Sequence, residues 1–171
     1  MSLDRRFVLR TLGAAGLATA AAALLRPLGA GQVRAAETFE VTKSEAEWRK
    51  ALSPAAFAVL RKSSTEAPNT SALLSEHRKG VFACAGCDLP LYDQTTKFNS
   101  GTGWPSFFDH LPNAVMTSKD NELGYERDEV HCRRCGGHLG HVFNDGPKPT
   151  GLRYCMNGVA LAFHPSDKQG S

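Results

Sequence analysis

An excess of positive charge is missing from this chain once its first 36 residues are set aside. The full chain carries 20 Lys and Arg against 17 Asp and Glu, a formal net charge of +3. Five of the basic residues (Arg5, Arg6, Arg10, Arg26, Arg34) and one acid (Asp4) precede Glu37, so residues 37–171 are close to −1. That balance lacks the cationic field that a phosphate backbone requires, which excludes nucleic acid as a partner. A membrane-length apolar run is missing too. The one extended apolar stretch, Leu12 to Leu25, is too short and too rich in alanine for a comfortable span. Spare cysteine is also lacking. Four of the five cysteines form two C-x-x-C pairs, Cys84/Cys87 and Cys132/Cys135, which leaves Cys155 alone.

What is present begins with a leader. Arg5, Arg6 and Arg10 make a basic start, an apolar middle follows, and Val33-Arg34-Ala35 makes a small-residue end, the layout of a signal peptide. The paired arginines point to the twin-arginine type. The sequence therefore predicts a signal peptide over 1–36, cleaved after Ala35 or Ala36. It also predicts export to the periplasm, with no membrane attachment after cleavage. Residues 37–171 then form one domain of modest core.

Ser44-x-x-Glu47 is a capping box with Trp48 and Leu52 one turn apart, and Ser53-Pro54 is a second helix start. Two short helices are expected over 44–51 and 54–62, covering one side of a β core. Residues 65–75 read as loop. From Val81 onward, short apolar runs alternate with Gly, Pro, Asn and Asp. Strands are expected over 81–83, 89–92, 129–132, 138–143, 153–156 and 159–164, giving a mainly β, antiparallel domain.

The two C-x-x-C pairs, with Gly86 and Gly136 at their turns, match a tetrathiolate zinc site. Four thiolates close the tetrahedron, so the metal would be structural. Two disulfides are the rival reading in an exported protein. A twin-arginine route carries folded proteins, so zinc could be loaded before the thiols meet an oxidising compartment. Cys155 is then the lone sulfur, two residues after Arg153 and two before Asn157, one face of a strand. At a pKa of roughly 8.5 only about 3% of a thiol is ionised at neutral pH, so a nearby cation has leverage over its nucleophilicity. His138, His141 and Asp145 lie nearby in the chain. Two histidines three apart on a regular strand face opposite ways, and Gly140 permits a bend between them. Trp104 is presented on the bent loop Ser100-Gly-Thr102-Gly-Trp104-Pro-Ser106, either as a core plug or as the wall of a pocket for a small apolar group.

The order C-x-x-C, K-F-x-S-G-T-G-W-P-S-F, C-x-x-C, H-L-G-H-V-F-x-D-G-P and G-L-R-Y-C-x-N resembles peptide-methionine (R)-S-oxide reductases of the B type, over about residues 48–165. The resemblance implies two small antiparallel sheets with a zinc site away from the catalytic face. It implies Cys155 as nucleophile, His138 and His141 flanking the substrate oxygen, and Asp145 supporting the histidine hydrogen bonding. Arg153 and Asn157 would assist the thiolate, and Trp104 would pack on the substrate methyl. The implied substrates are proteins bearing methionine-R-sulfoxide. A sulfoxide sulfur is electrophilic only as its oxygen is protonated, so such a site needs a thiolate and an acid together. Cys155 would be left as a sulfenic acid. Many family members carry a resolving cysteine at the position of Thr102. Its replacement predicts a one-cysteine enzyme reduced directly by an outside thiol or a thioredoxin-like partner. The segment Gly124 to His131 departs from the family form, and His131 is expected to be exposed and without a role. A zinc-ribbon-like binding module is the alternative, but it leaves Cys155, Arg153 and Asn157 idle.

Overall fold

The computed structural model describes residues 38–166, so the expected leader lies outside the described residues. No helix among the described residues is long and apolar enough to cross a membrane.

Among the described residues two α-helices come first, α1 (Glu45–Ala51) and α2 (Pro54–Lys62). Ser44 Oγ accepts from the Glu47 amide while the Glu47 carboxylate accepts from the Ser44 amide at 2.8 Å, closing the capping box. Ser53 caps α2, whose first residue is Pro54. Trp48, Phe57, Val59 and Leu60 are buried. Leu60 reaches the turns of both C-x-x-C pairs, at Gly86 and Gly137, so α2 braces the cysteine frame.

Nine strands follow among the described residues: β1 (Gly80–Cys84), β2 (Pro90–Asp93), β3 (Lys97–Phe98), β4 (Ser106–Phe107), β5 (Val115–Asp120), β6 (Arg127–Cys132), β7 (His138–Phe143), β8 (Arg153–Met156) and β9 (Leu161–Pro165). They form two antiparallel sheets, one ordered β2-β1-β9 and the other β3-β4-β8-β7-β6-β5. The fold class is therefore the one expected. Strands β3, β4 and β5 are additions to it. β5 carries only Val115 and Met116 as apolar residues and lies at a sheet edge, so it offers little of the alternation that marks a strand. The last strand starts at Leu161 because Gly158–Ala160 makes a 3-10 turn. Another short 3-10 turn, Ala72–Ser75, sits in the expected loop.

The core holds Phe82, Leu91, Tyr92, Phe107, Val130, Leu139 and Met156, all fully buried. Tyr92 stacks on Phe107 at 4.3 Å between centroids, and its hydroxyl donates to Met156 Sδ at 3.0 Å. Because neighbours on a strand point to opposite faces, burying Tyr154 and Met156 here turns Arg153 and Cys155 to the other face of the same sheet.

Candidate active site

That other face carries an ordered row. Ser106 of β4 opposes Cys155 of β8, Cys155 opposes His141 of β7, His141 opposes Glu129 of β6, and Glu129 opposes Ser118 of β5. Directly opposed residues stand roughly 5 Å apart at Cβ, so an imidazole and a thiol become neighbours by register alone. His138 joins the same face through a bulge. Val130 opposes Gly140 but His131 opposes His138, which leaves Leu139 as an extra residue in β7. One extra residue restores the alternation, so two histidines three apart share a face. Their rings meet edge to face with centroids 5.4 Å apart. Gly140 serves this arrangement by close approach. A Cβ there would lie 2.1 Å from the Cys155 carbonyl oxygen.

A pocket of about 170 Å³ opens over Cys155, walled by Trp104, Phe143, His141, Arg127, Asn157 and Thr65. The Trp104 indole is fixed by its Nε1–H, which donates to the Glu66 carbonyl at 3.1 Å. Asn157 is buried and spans the same region. Its Oδ1 accepts from the Glu66 amide at 2.9 Å and its Nδ2 donates to the Leu139 carbonyl at 3.0 Å. The Glu66 carboxylate in turn accepts from the Gly158 and Val159 amides. Asn157 therefore ties the loop before the sheet to β7, which sets one wall of the pocket. A larger groove of about 360 Å³ continues from it, sharing Thr65, Arg127 and His141 and adding His138, Glu129 and Asp120.

The charges are distributed differently from expectation. Asp145 was to support the histidines. Instead it grips Arg153, whose Nε and one Nη donate to its two oxygens at 2.9 and 2.8 Å. The carboxylates that hold the histidines are Glu129, 2.7 Å from His138 Nδ1, and Asp120, 2.8 Å from His141 Nε2. An amide turn at Glu122 and the His141 ring hold the Asp120 carboxyl down at about 2. Burial pulls the His141 ring below its ordinary value despite Asp120, so it is neutral at pH 7. Burial likewise pushes the Cys155 thiol up. The Thr102 hydroxyl at 3.8 Å and the Arg153 charge oppose that shift without overcoming it. The resting sulfur is therefore a thiol rather than the thiolate that the arginine alone suggests.

Cys84, Cys87, Cys132 and Cys135 converge at the ends of β1 and β6, all four sulfurs within 4.8 Å of one another. The Cys84–Cys135 and Cys87–Cys132 sulfurs are 3.7 and 3.5 Å apart, and none is in a disulfide. A disulfide needs about 2.05 Å, whereas a tetrahedral ion bonded to sulfur at about 2.3 Å sets sulfur–sulfur edges of roughly 3.8 Å. The four cysteines are thus placed to hold a metal ion. The site lies among core residues, apart from the Cys155 pocket.

Glu129, Asp120, Arg127 and Glu66 were not expected at the site. The first three come from 120–129, which overlaps the segment Gly124 to His131 that departs from the family form. Its signal was an Asp and a Glu spaced to face the two histidines across a hairpin, visible only once β5 is known. Arg127 pairs with Asp120 and lines the pocket, while Arg153 lies over the Phe143 ring at 4.4 Å. His131, expected to be exposed, is buried at 7% exposure, with its ring edge-on to Phe39. His131 directly opposes His138 next to the bulge.

Comparison with known proteins agrees with this geometry. A family model described as the SelR domain matches residues 52–165. The peptide methionine sulfoxide reductase MsrB of Leifsonia xyli is 51% identical over 132 residues, covering 76% of this chain and 95% of the relative. Proteins of the same name from Leptospira interrogans and Methanosarcina mazei are 48% and 46% identical, over 96% and 94% of their lengths. This chain belongs to the SelR family, that of the B-type peptide methionine sulfoxide reductases.

Proposed function

We infer that the protein reduces methionine-R-sulfoxide in proteins to methionine, an oxidoreductase reaction that repairs oxidised side chains. The observation that carries this is the opposed pair Cys155 and His141 at the floor of a pocket lined by Trp104 and Phe143. Those two rings offer an apolar wall for the S-methyl group and Cys155 a soft nucleophile for the sulfur.

The chain's own charges order the steps. Cys155 starts as a thiol and His141 as a neutral imidazole. His141 takes the thiol proton as Cys155 attacks the sulfoxide sulfur, then returns that proton to the sulfoxide oxygen. The oxygen and proton end on the Cys155 sulfur as sulfenic acid, and the thioether leaves, so thiol plus sulfoxide becomes sulfenic acid plus thioether. Asp120 holds the His141 ring and stabilises the imidazolium while it exists. His138, anchored by Glu129, faces the adjoining groove. Arg153 acts through its charge, clamped by Asp145, and Asn157 through the pocket wall.

Four cysteines are committed to one cluster and Thr102 stands 3.8 Å from Cys155, so an external thiol or thioredoxin-like protein reduces the sulfenic acid. Zinc suits the cluster's geometry and all-sulfur donor set. When bound it supplies a structural staple, with Cys84, Cys87, Cys132 and Cys135 filling every coordination position. The arginine-led N-terminus supports export through a twin-arginine route to the periplasm.

The test is turnover on the two resolved sulfoxide epimers, free and in a peptide, with a dithiol as reductant. The R epimer is reduced and Cys155→Ser is inactive yet folded. Equal turnover of both epimers, or an active Cys155→Ser protein, refutes the reading.

A further inference from the structure

Beside Cys155 lies a chain of three hydroxyls that the reaction above does not use. Thr102 Oγ1 is 3.8 Å from Cys155 Sγ and 2.8 Å from Ser100 Oγ. Ser100 Oγ is 2.7 Å from Ser106 Oγ, which donates to the Trp104 carbonyl at 3.1 Å. Ser106 opposes Cys155 across the β4–β8 ladder, and the Thr102 amide reaches Ser100 Oγ at 3.4 Å, so both ends of the chain are pinned.

Each hydroxyl has one hydrogen, which fixes the order of donation. Ser106 gives its hydrogen to the Trp104 carbonyl. The short Ser100–Ser106 contact then needs the Ser100 hydrogen, and the Ser100–Thr102 contact needs that of Thr102. Every hydrogen points away from the sulfur, and the Thr102 oxygen offers a lone pair to the Cys155 S–H. This order suits a thiol. It does not suit a thiolate, which has no hydrogen to give and requires donors.

We propose that the Thr102–Ser100–Ser106 chain reverses when Cys155 loses its proton, so that Thr102 becomes the hydrogen-bond donor to the sulfur. On reversal Thr102 turns to the sulfur, Ser100 fills Thr102 and Ser106 fills Ser100. Only the Trp104 carbonyl loses a partner. No proton travels along the chain, since each hydroxyl merely rotates, and the thiol proton leaves by its own route. The geometry calls for such a donor. Arg153 has Nε and one Nη committed to Asp145, so it helps the sulfur first by its charge and second by a weaker hydrogen bond, behind the Thr102 hydroxyl. Thr102, at the position held by a cysteine in many relatives by resemblance, is a positioning residue acting through the sulfur's charge state. The proposal rests on this geometry and needs no turnover.

The test is the pH dependence of Cys155 alkylation by iodoacetamide in the full-length, metal-loaded protein, read by mass on the Cys155 peptide. A hydrogen bond to a charged group shifts a thiol by about one pH unit. Thr102→Val, which keeps the shape and drops the hydroxyl, raises the midpoint by about one unit and slows alkylation at neutral pH about tenfold. Thr102→Ser restores the parent midpoint. Ser100→Ala shifts the midpoint in the parent and has no effect on the Thr102→Val background, because the chain then no longer reaches the sulfur. Three results overturn the proposal: a Thr102→Val midpoint equal to the parent's, a Thr102→Ser midpoint that stays with Thr102→Val, or a Ser100→Ala effect that is absent or equal in both backgrounds.

Discussion

Replacing Gly140 by alanine asks for one methyl group where the β7–β8 ladder has no room. The added Cβ would stand 2.1 Å from the Cys155 carbonyl oxygen and 3.0 Å from both Met156 Cα and Cε. Comfortable contacts begin at about 3.5 Å, so the strands must part by more than about 1 Å. Parting them strains the pairs Gly140–Met156 and His141–Cys155. Leaving one or two buried backbone groups without partners costs about 1–3 kcal/mol, and the displaced packing adds about 1–3 kcal/mol. A total of about 2–5 kcal/mol lowers Tm on the order of 10 °C in a domain of this size. The same displacement separates Cys155 from His141, and a misplacement of about 1 Å costs on the order of 100-fold in rate. Thermal unfolding followed by circular dichroism and steady-state kcat measure the two effects. Gly124→Ala is the control. Its Cβ would meet nothing within 4 Å, so only the backbone cost of its φ of +80° remains, about 1 kcal/mol with kcat unchanged. A Gly140→Ala protein that keeps parental Tm and kcat would refute the claim that β7 and β8 must touch at this glycine to align the pair.

Chelating the metal, or Cys132→Ser, should unfold the domain: structural zinc contributes about 10–16 kcal/mol in small motifs, against about 5–15 kcal/mol for a whole domain. Loss of near-ultraviolet dichroism together with one released metal per chain checks it. Burial raises the Cys155 thiol, so the folded state holds that proton more tightly than the unfolded state does. Stability from this site is complete below the ordinary thiol range and is lost as pH rises through the raised value. A Cys155→Ala variant should lack that share of the alkaline decline in Tm. His141 is shifted the other way, so its contribution is present above about pH 6.5 and is lost as pH falls through its lowered value. Asp120→Asn removes the negative charge that stabilises the His141 imidazolium and should lower kcat about 10²–10⁴-fold, the usual range for acid–base assistance. Little change in KM is expected, because Asp120 does not line the pocket over Cys155.

The local signals in this chain were strong where chemistry is written in short spacings. Ser44-x-x-Glu47 and Ser53-Pro54 specify helix starts by satisfying amides within one turn, and the structure has both helices within a residue of expectation. Two C-x-x-C pairs specify a four-sulfur cluster because each short loop brings two sulfurs together whatever the fold between them. Arg153 and Cys155 share a face of β8 by period alone, whereas Asn157, expected on the same face, lies past the strand at the start of the Gly158–Ala160 turn. What alternation could not supply was register. The extra residue Leu139 turns His138 onto the face of His141; Gly140 marked a possible bend there, but nothing in H-L-G-H says which residue drops out of register. The polar edge strand β5 carries Asp120 to His141, and only pairing across the β5–β6 hairpin reveals that Asp145 is free to serve Arg153. Burial was likewise a tertiary decision. The sequence places an arginine beside Cys155, but the surrounding packing determines that the resting sulfur keeps its proton, since desolvation acts through every neighbour at once and leaves no mark in the local sequence.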